Sequence, residues 1–204
     1  MYKLAVFVSG KGSNLLSIAS HIKSGILNAK ISAVVSNKKD CKALDFAKTE
    51  NIPSYVVADN RNNDSIDYEK LINIFRTEAI DLIILAGFLR KIPVELIRTY
   101  QNKIINIHPA LLPSFGGKGM YGMNVHKAVF NSSAKVSGAT VHFVDEIYDN
   151  GKIIDQQCVD IKDVKSAEEI AERVLKIEHE LLPSVVKKFV ENKIQLTDQR
   201  IFLN

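Results

Sequence analysis

The sequence predicts an α/β fold, a doubly wound, mostly parallel twisted sheet with an antiparallel carboxy-terminal extension. Three observations predict it. Strand-like and helix-like runs alternate for about 110 residues, as βαβ units do. One run, Leu82 to Ala86 (LIILA), is apolar throughout, like a parallel strand covered on both faces. After Ala110 the rhythm gives way to a glycine-rich loop and then to alternating strand patterns.

Each element has its own reason. Tyr2 to Val8 is short and apolar and ends at Ser9-Gly10, so it reads as a buried strand. Ser13-Asn14 opens a helical pattern, with Leu15, Leu16, Ile18, Ala19 and Ile22, that stops near Gly25. Ile31 to Val35 is a second strand, and Cys41 to Asn51 a short helix with Ala43, Leu44 and Ala47 on one face. Ser54 to Val57 is a third strand, followed by a helix from Ile66 to Ala79 with Leu71, Ile72 and Phe75 inward. Pro93 suits the first turn of a short helix reaching Tyr100. Ile104 to Ile107 is the next strand, and Ala110 to Gly122 a loop. Val136 to Val144 alternates like a half-buried strand, and Lys152 to Ile161 is expected to be its antiparallel partner. Ser166 and Glu169 form a capping box for a long helix, which Pro183 should kink. No linker or repeat interrupts the chain, so residues 1–204 read as one domain, with residues 1–109 its parallel part and 110–204 its extension.

Composition excludes several classes. Lys plus Arg is 27 and Asp plus Glu is 23, giving a net charge of only +4. The basic residues are scattered, which argues against nucleic acid but suits small anionic substrates. The longest nearly apolar stretch, Ile80 to Leu89, contains Asp81 and is too short to span a bilayer. Cys41 and Cys158 have no metal-type spacing and read as reduced thiols of a cytoplasmic protein.

Four groups of residues could carry chemistry. Ser9-Gly10-Lys11-Gly12-Ser13-Asn14 joins the first strand to the first helix. Glycines and free N–H groups at a helix start make a phosphate cradle; the alternative is a tight turn with a serine cap. Asn106 and His108 share one face at the carboxyl end of the fifth strand. An amide can stabilise an oxyanion there while an imidazole moves a proton; alternatively the pair only holds the next loop. Asp149 lies in a turn, where aspartates usually cap backbone, and becomes catalytic only with a partner such as His108. His142 alternates with Val141 and Phe143 and reads as structural. Glu178 shares the apolar stripe of the last helix, four residues after Val174, so it either meets a substrate hydroxyl or amine or pairs with a lysine.

Together these stretches resemble the folate-dependent phosphoribosylglycinamide formyltransferases, from about Tyr2 to Lys193. The resemblance rests on Ser9-Gly10-Lys11-Gly12-Ser13-Asn14-Leu15, on Asn106-Ile107-His108-Pro109-Ala110-Leu111-Leu112-Pro113, and on Gly138 through Gly151. It implies a formyltransferase-like fold and transfer of a formyl group from 10-formyltetrahydrofolate, a co-substrate, to the amine of glycinamide ribonucleotide. It makes Asn106, His108 and Asp149 the catalytic group: oxyanion holder, general acid, and the charge that orients His108. Gly12, Ser13 and Asn14 would grip the phosphate, and Glu178 the sugar. Leu89, Arg90, Lys91 and Ile92, with the segment from Asp145 to Asp149, would enclose the folate.

The resemblance implies no metal, no nucleic acid, no membrane, and a monomer or homodimer. Two departures stand out. The segment Gly116 to Gly122 is longer than in many members and reads as a lid variant. Ser65 stands where many members carry a folate-binding arginine, which Arg61 could replace. Two sister activities fit less well. Methionyl-tRNA formyltransferase needs an RNA-binding domain for which 204 residues leave no room, and formyltetrahydrofolate deformylase carries an amino-terminal domain, whereas the first strand begins at Tyr2. A non-catalytic nucleotide-binding module on the same frame is disfavoured by Asn106, His108 and Asp149 occurring together.

Overall fold

The structure is a computed structural model that describes residues 1–57 and 65–204; Arg61 lies outside the described residues. Seven strands form one sheet in the order β3-β2-β1-β4-β5-β6-β7. They are β1 (Tyr2–Val8), β2 (Ala29–Ser36), β3 (Ser54–Val56), β4 (Leu82–Leu85), β5 (Ile104–His108), β6 (Val136–Phe143) and β7 (Ile153–Asp160). The fold is thus the predicted mostly parallel α/β sheet. By contacts the chain divides into two compact units, Met1–Ile105 and Asn106–Asn204.

In the first unit β1 pairs in parallel with β2 and with β4, and β2 with β3. Its helices are α1 (Ser13–Lys23), α2 (Lys42–Thr49), α3 (Tyr68–Thr77) and α4 (Val94–Thr99). Leu4 to Val8 are fully buried, as a strand covered on both faces requires. Phe7 meets Phe75 and Phe88 edge-on, with ring centroids 6.1 and 5.2 Å apart. Burying each such side chain contributes roughly 1.5–3 kcal/mol. The sequence starts α3 two residues early. Ile66 instead bridges Val57 in parallel, and the Asp67 carboxylate caps the helix by accepting from the Lys70 amide at 2.8 Å. Pro93 is the residue before α4 and not within its first turn. Strand order reverses between β1 and β4, the switch point where open α/β sheets bind ligands. The loops after both strands leave from there.

In the second unit β6 and β7 run antiparallel, with Thr140 opposite Gln156. A long helix, α6 (Ala167–Val190), packs its buried stripe of Ile170, Val174, Leu181 and Val185 on β6, β7 and α5 (Met123–Asn131). Its capping box forms as expected: Ser166 Oγ accepts from the Glu169 amide at 3.2 Å. The helix continues through Pro183. Two features escape the sequence reading: α5, and a hairpin of β8 (Ile194–Leu196) and β9 (Ile201–Leu203). The Lys152 ammonium holds the hairpin turn by donating to the carbonyls of Thr197 and Asp198 at 2.6 and 2.8 Å.

Candidate active site

In the first unit the loop after β1 is built around Gly12. This residue, not a serine, precedes α1, at φ 75°, and no side chain caps the helix. A Cβ at Gly12 would lie 2.7 Å from that of Ala43, so only glycine fits the left-handed turn against α2. The first-turn amides of α1 are therefore not consumed by a cap, which is the geometry of an anion site. Ser9 fixes the neighbouring loops: its hydroxyl donates to Asn37 Oδ1 at 2.6 Å and accepts from the Leu89 amide at 2.9 Å. Gly10 is held through its carbonyl, which accepts from the Cys41 thiol at 3.0 Å and the Ala43 amide at 3.3 Å. Ser13 is half-buried and Asn14 buried. Along the loop after β4, Leu89, Arg90 and Lys91 are exposed and Ile92 is buried.

The proton-handling groups all lie in the second unit. His108 ends β5 and is buried. Its Nε2 is 2.8 Å from the Phe115 carbonyl. A carbonyl only accepts, so Nε2 carries a proton and Nδ1 is the nitrogen free to titrate. Nδ1 faces Asp149 Oδ2 at 3.7 Å, within ion-pair reach but beyond a direct hydrogen bond. That same oxygen accepts the Gly117 amide at 2.8 Å. Asp149 Oδ1 stands 3.6 Å from Nε2 of His142.

His142, read from the sequence as structural, is hydrogen-bonded to Asn106 and faces Asp149. It is buried, yet it joins the expected residues instead of only filling space. Its Nδ1 donates to the Phe143 carbonyl at 2.8 Å, so in the neutral ring Nε2 accepts. Nε2 receives the Asn106 amide at 3.1 Å. One N–H of Asn106 is thus anchored and the other remains available to an oxyanion. Nothing in the sequence distinguishes His142 from a histidine that only fills an apolar strand.

Electrostatics set the proton balance. Burial pushes the pKa of His108 down; Asp149 and the Phe115 carbonyl pull it up, His142 pushes it down, and burial prevails. Asp149 therefore favours the imidazolium as the sequence suggests, without lifting His108 above its ordinary range. Asp149 itself sits below the usual carboxylate range. Burial would raise it, but His142, His108 and the Gly117 amide outweigh that. His126, on α5, is also buried and has a lowered pKa, from burial and then from His108.

The loop behind His108 is pinned by Thr140. Its hydroxyl donates to the Ala110 carbonyl at 2.6 Å, and accepts from the Leu112 amide at 3.1 Å and the Gln156 amide at 2.9 Å. Asp145 shapes the turn before Asp149, accepting from the Ile147 amide at 2.8 Å and from Asn150 Nδ2 at 3.1 Å. Glu178 on α6 is half-buried, so it stands at the margin of the apolar stripe and not within it. Among the described residues no cluster of His, Cys, Asp or Glu is arranged to hold a metal, and no helix is long and apolar enough to cross a membrane.

Residues 2–186 match the model of the formyl transferase family. The phosphoribosylglycinamide formyltransferase of Bacillus subtilis (strain 168) is 37% identical over 191 residues, which cover 93% of this chain and 95% of that one. The chloroplastic enzyme of that name from Arabidopsis thaliana is 45% identical over 195 residues, 95% of this chain and 67% of the relative. The crystal structure of phosphoribosylglycinamide formyltransferase from Anaplasma phagocytophilum superposes with a TM-score of 0.87 at 33% identity, covering 99% of this chain and 93% of that one.

Proposed function

Because the chain belongs to the formyl transferase family, we propose that it transfers a formyl group from 10-formyltetrahydrofolate to the amine of phosphoribosylglycinamide, an activity of purine nucleotide synthesis. The observation that carries the reading is the meeting of Asn106, His108 and Asp149 around His142. The acceptor amine attacks the formyl carbon, and the carbonyl oxygen becomes an oxyanion. Asn106 donates its free N–H to that oxygen. As the oxyanion collapses and the C–N bond to folate breaks, His108, as imidazolium, delivers the Nδ1 proton to the departing folate nitrogen, and the proton shed by the attacking amine returns to Nδ1. Asp149 orients His108 and offsets its charge.

Recognition follows from the loops. Gly12, Ser13 and Asn14 hold the phosphate with the first-turn amides of α1, and Glu178 meets the ribose hydroxyls. Leu89, Arg90, Lys91, Ile92 and Asp145, with Asn106 and Asp149, hold the folate. The enzyme works as one functional domain, monomeric or homodimeric, in the cytoplasm, and needs no metal. Incubation with 10-formyltetrahydrofolate, with and without glycinamide ribonucleotide, tests the reaction. Formyl-glycinamide product is expected only with the acceptor present. Release of formate independent of the acceptor overturns the assignment, and Asp149→Asn must lower kcat by at least about tenfold for its role to stand.

A further inference from the structure

Seven non-glycine residues among those described have positive φ. Asn51, Ala79, Asn102, Ser133 and Asn192 stand two or three residues past a helix end, where a left-handed residue is ordinary. The remaining two are Phe115 at φ 56° and Asp149 at φ 55°. Neither closes a helix, and both act on His108: Phe115 through its carbonyl, Asp149 through its carboxylate. Left-handed backbone is unfavourable for a side-chain-bearing residue, so it persists only where the surroundings impose it. Between them Gly116 has no room for a side chain. A Cβ there would lie 3.2 Å from that of Asp149 and 2.5 Å from Leu112 Cδ2.

We propose that the Phe115–Gly117 backbone is a positioning element for proton transfer, its Phe115 carbonyl holding the proton on Nε2 of His108 and its Gly117 amide holding Asp149 against Nδ1. The segment touches no reacting atom; it acts through the two side chains. Its effect is to make Nδ1 the only nitrogen of His108 that exchanges a proton with the reaction. A ring that kept its neutral-state proton on Nδ1 would have no lone pair there with which to take the proton back. The proposal rests on the formyl-transfer reading for what that proton does, but the tautomer itself is independent of it.

The test uses the whole chain labelled with 15N-histidine. Long-range 1H–15N spectra above the His108 titration should show its Nε2 protonated and its Nδ1 bare, the resonances being assigned by their loss in His108→Ala. A neutral His108 protonated on Nδ1 overturns the proposal without any further variant. Gly116→Ala is the second arm. It should lower kcat by about 10–100-fold while both KM values stay within about twofold, the split expected when groups are misplaced without loss of binding. The His108 titration should move to lower pH as Asp149 is pushed away, and a mixture of tautomers should appear. A Gly116→Ala enzyme with unchanged kcat and an unmoved His108 titration also overturns the proposal. Failure of the parent reading looks different: His108→Ala would itself turn over within a few-fold of wild type, whatever tautomer the wild-type spectrum shows.

Discussion

Gly12→Ala is a perturbation whose cost divides into two physical parts. The backbone at φ 75° is left-handed, which costs an alanine about 1–2 kcal/mol. The new methyl also lies 2.7 Å from the Ala43 Cβ, well inside van der Waals contact, and overpacking of this kind costs about 1–3 kcal/mol. Together they predict a loss of about 2–5 kcal/mol in urea unfolding. Ala43→Gly removes only the second part. Alone it should cost about 1–2 kcal/mol, from a buried methyl and a glycine in the first turn of α2. The double mutant should therefore lose less than the two single losses added, by about the 1–3 kcal/mol of the relieved clash. Function should separate as well: the KM for glycinamide ribonucleotide should rise as the first-turn amides shift, with the folate KM little changed. Single losses that add within about 0.5 kcal/mol would refute the steric account, and an unchanged nucleotide KM would refute the phosphate cradle.

Other perturbations follow from the second unit. His108→Ala should cost roughly 10²–10⁴-fold in kcat and Asn106→Ala about 10²–10³-fold. The double mutant should lose less than the product, because both act on one transition state; single-turnover rates decide this. Thr140→Val strands the Ala110 carbonyl and the Leu112 amide in a buried place. Each stranded group costs about 1–3 kcal/mol, so urea unfolding should show a loss of about 2–6 kcal/mol. A loss below about 0.5 kcal/mol would mean that solvent reaches these groups. Stability should also fall on acidification. His108, His126 and His179 all have folded pKa values below the ordinary histidine value, chiefly from burial, so the unfolded chain binds more protons as pH drops past 6.5. Asp149 adds a second loss below pH 3.8, where the unfolded carboxylate protonates first. Melting temperatures that rise between pH 7.5 and 5.5 would contradict the histidine part.

The alternation of strand and helix was legible because β1 and β4 are buried on both faces and so carry unbroken apolar runs. Val136 to Val144 was legible as a strand from its period of two, but the half-buried face that the period implies is not found, since Ser137 to Phe143 are all buried. Helix α5 was hidden by its setting: a glycine-rich run precedes it, no side chain caps it, and Gly122 begins it. The cap of α1 was misread because a serine follows Gly12, and only the approach of Ala43 reveals why glycine must stand there. Asn106, His108 and Asp149 could be nominated from their residue types and their places at strand and turn ends. His142 could not, since a histidine in an apolar strand looks the same whether its ring nitrogens serve the fold or its neighbours. Phe115 and Gly117 were invisible in principle, because they contribute main-chain atoms that every residue possesses.

Among the described residues, the Phe115 carbonyl and the Asp149 carboxylate that meet His108 belong with it to the unit Asn106–Asn204. The proposed acid–base groups therefore come from one continuous stretch of sequence. On the proposed reading, changes in the loop after β1 should retune which phosphorylated amine is accepted and leave in place the Phe115 carbonyl that sets the tautomer of His108. In an engineering setting the carboxy-terminal unit is the part to hold fixed, and libraries directed at the loop after β1 would report on acceptor choice against a constant chemical step.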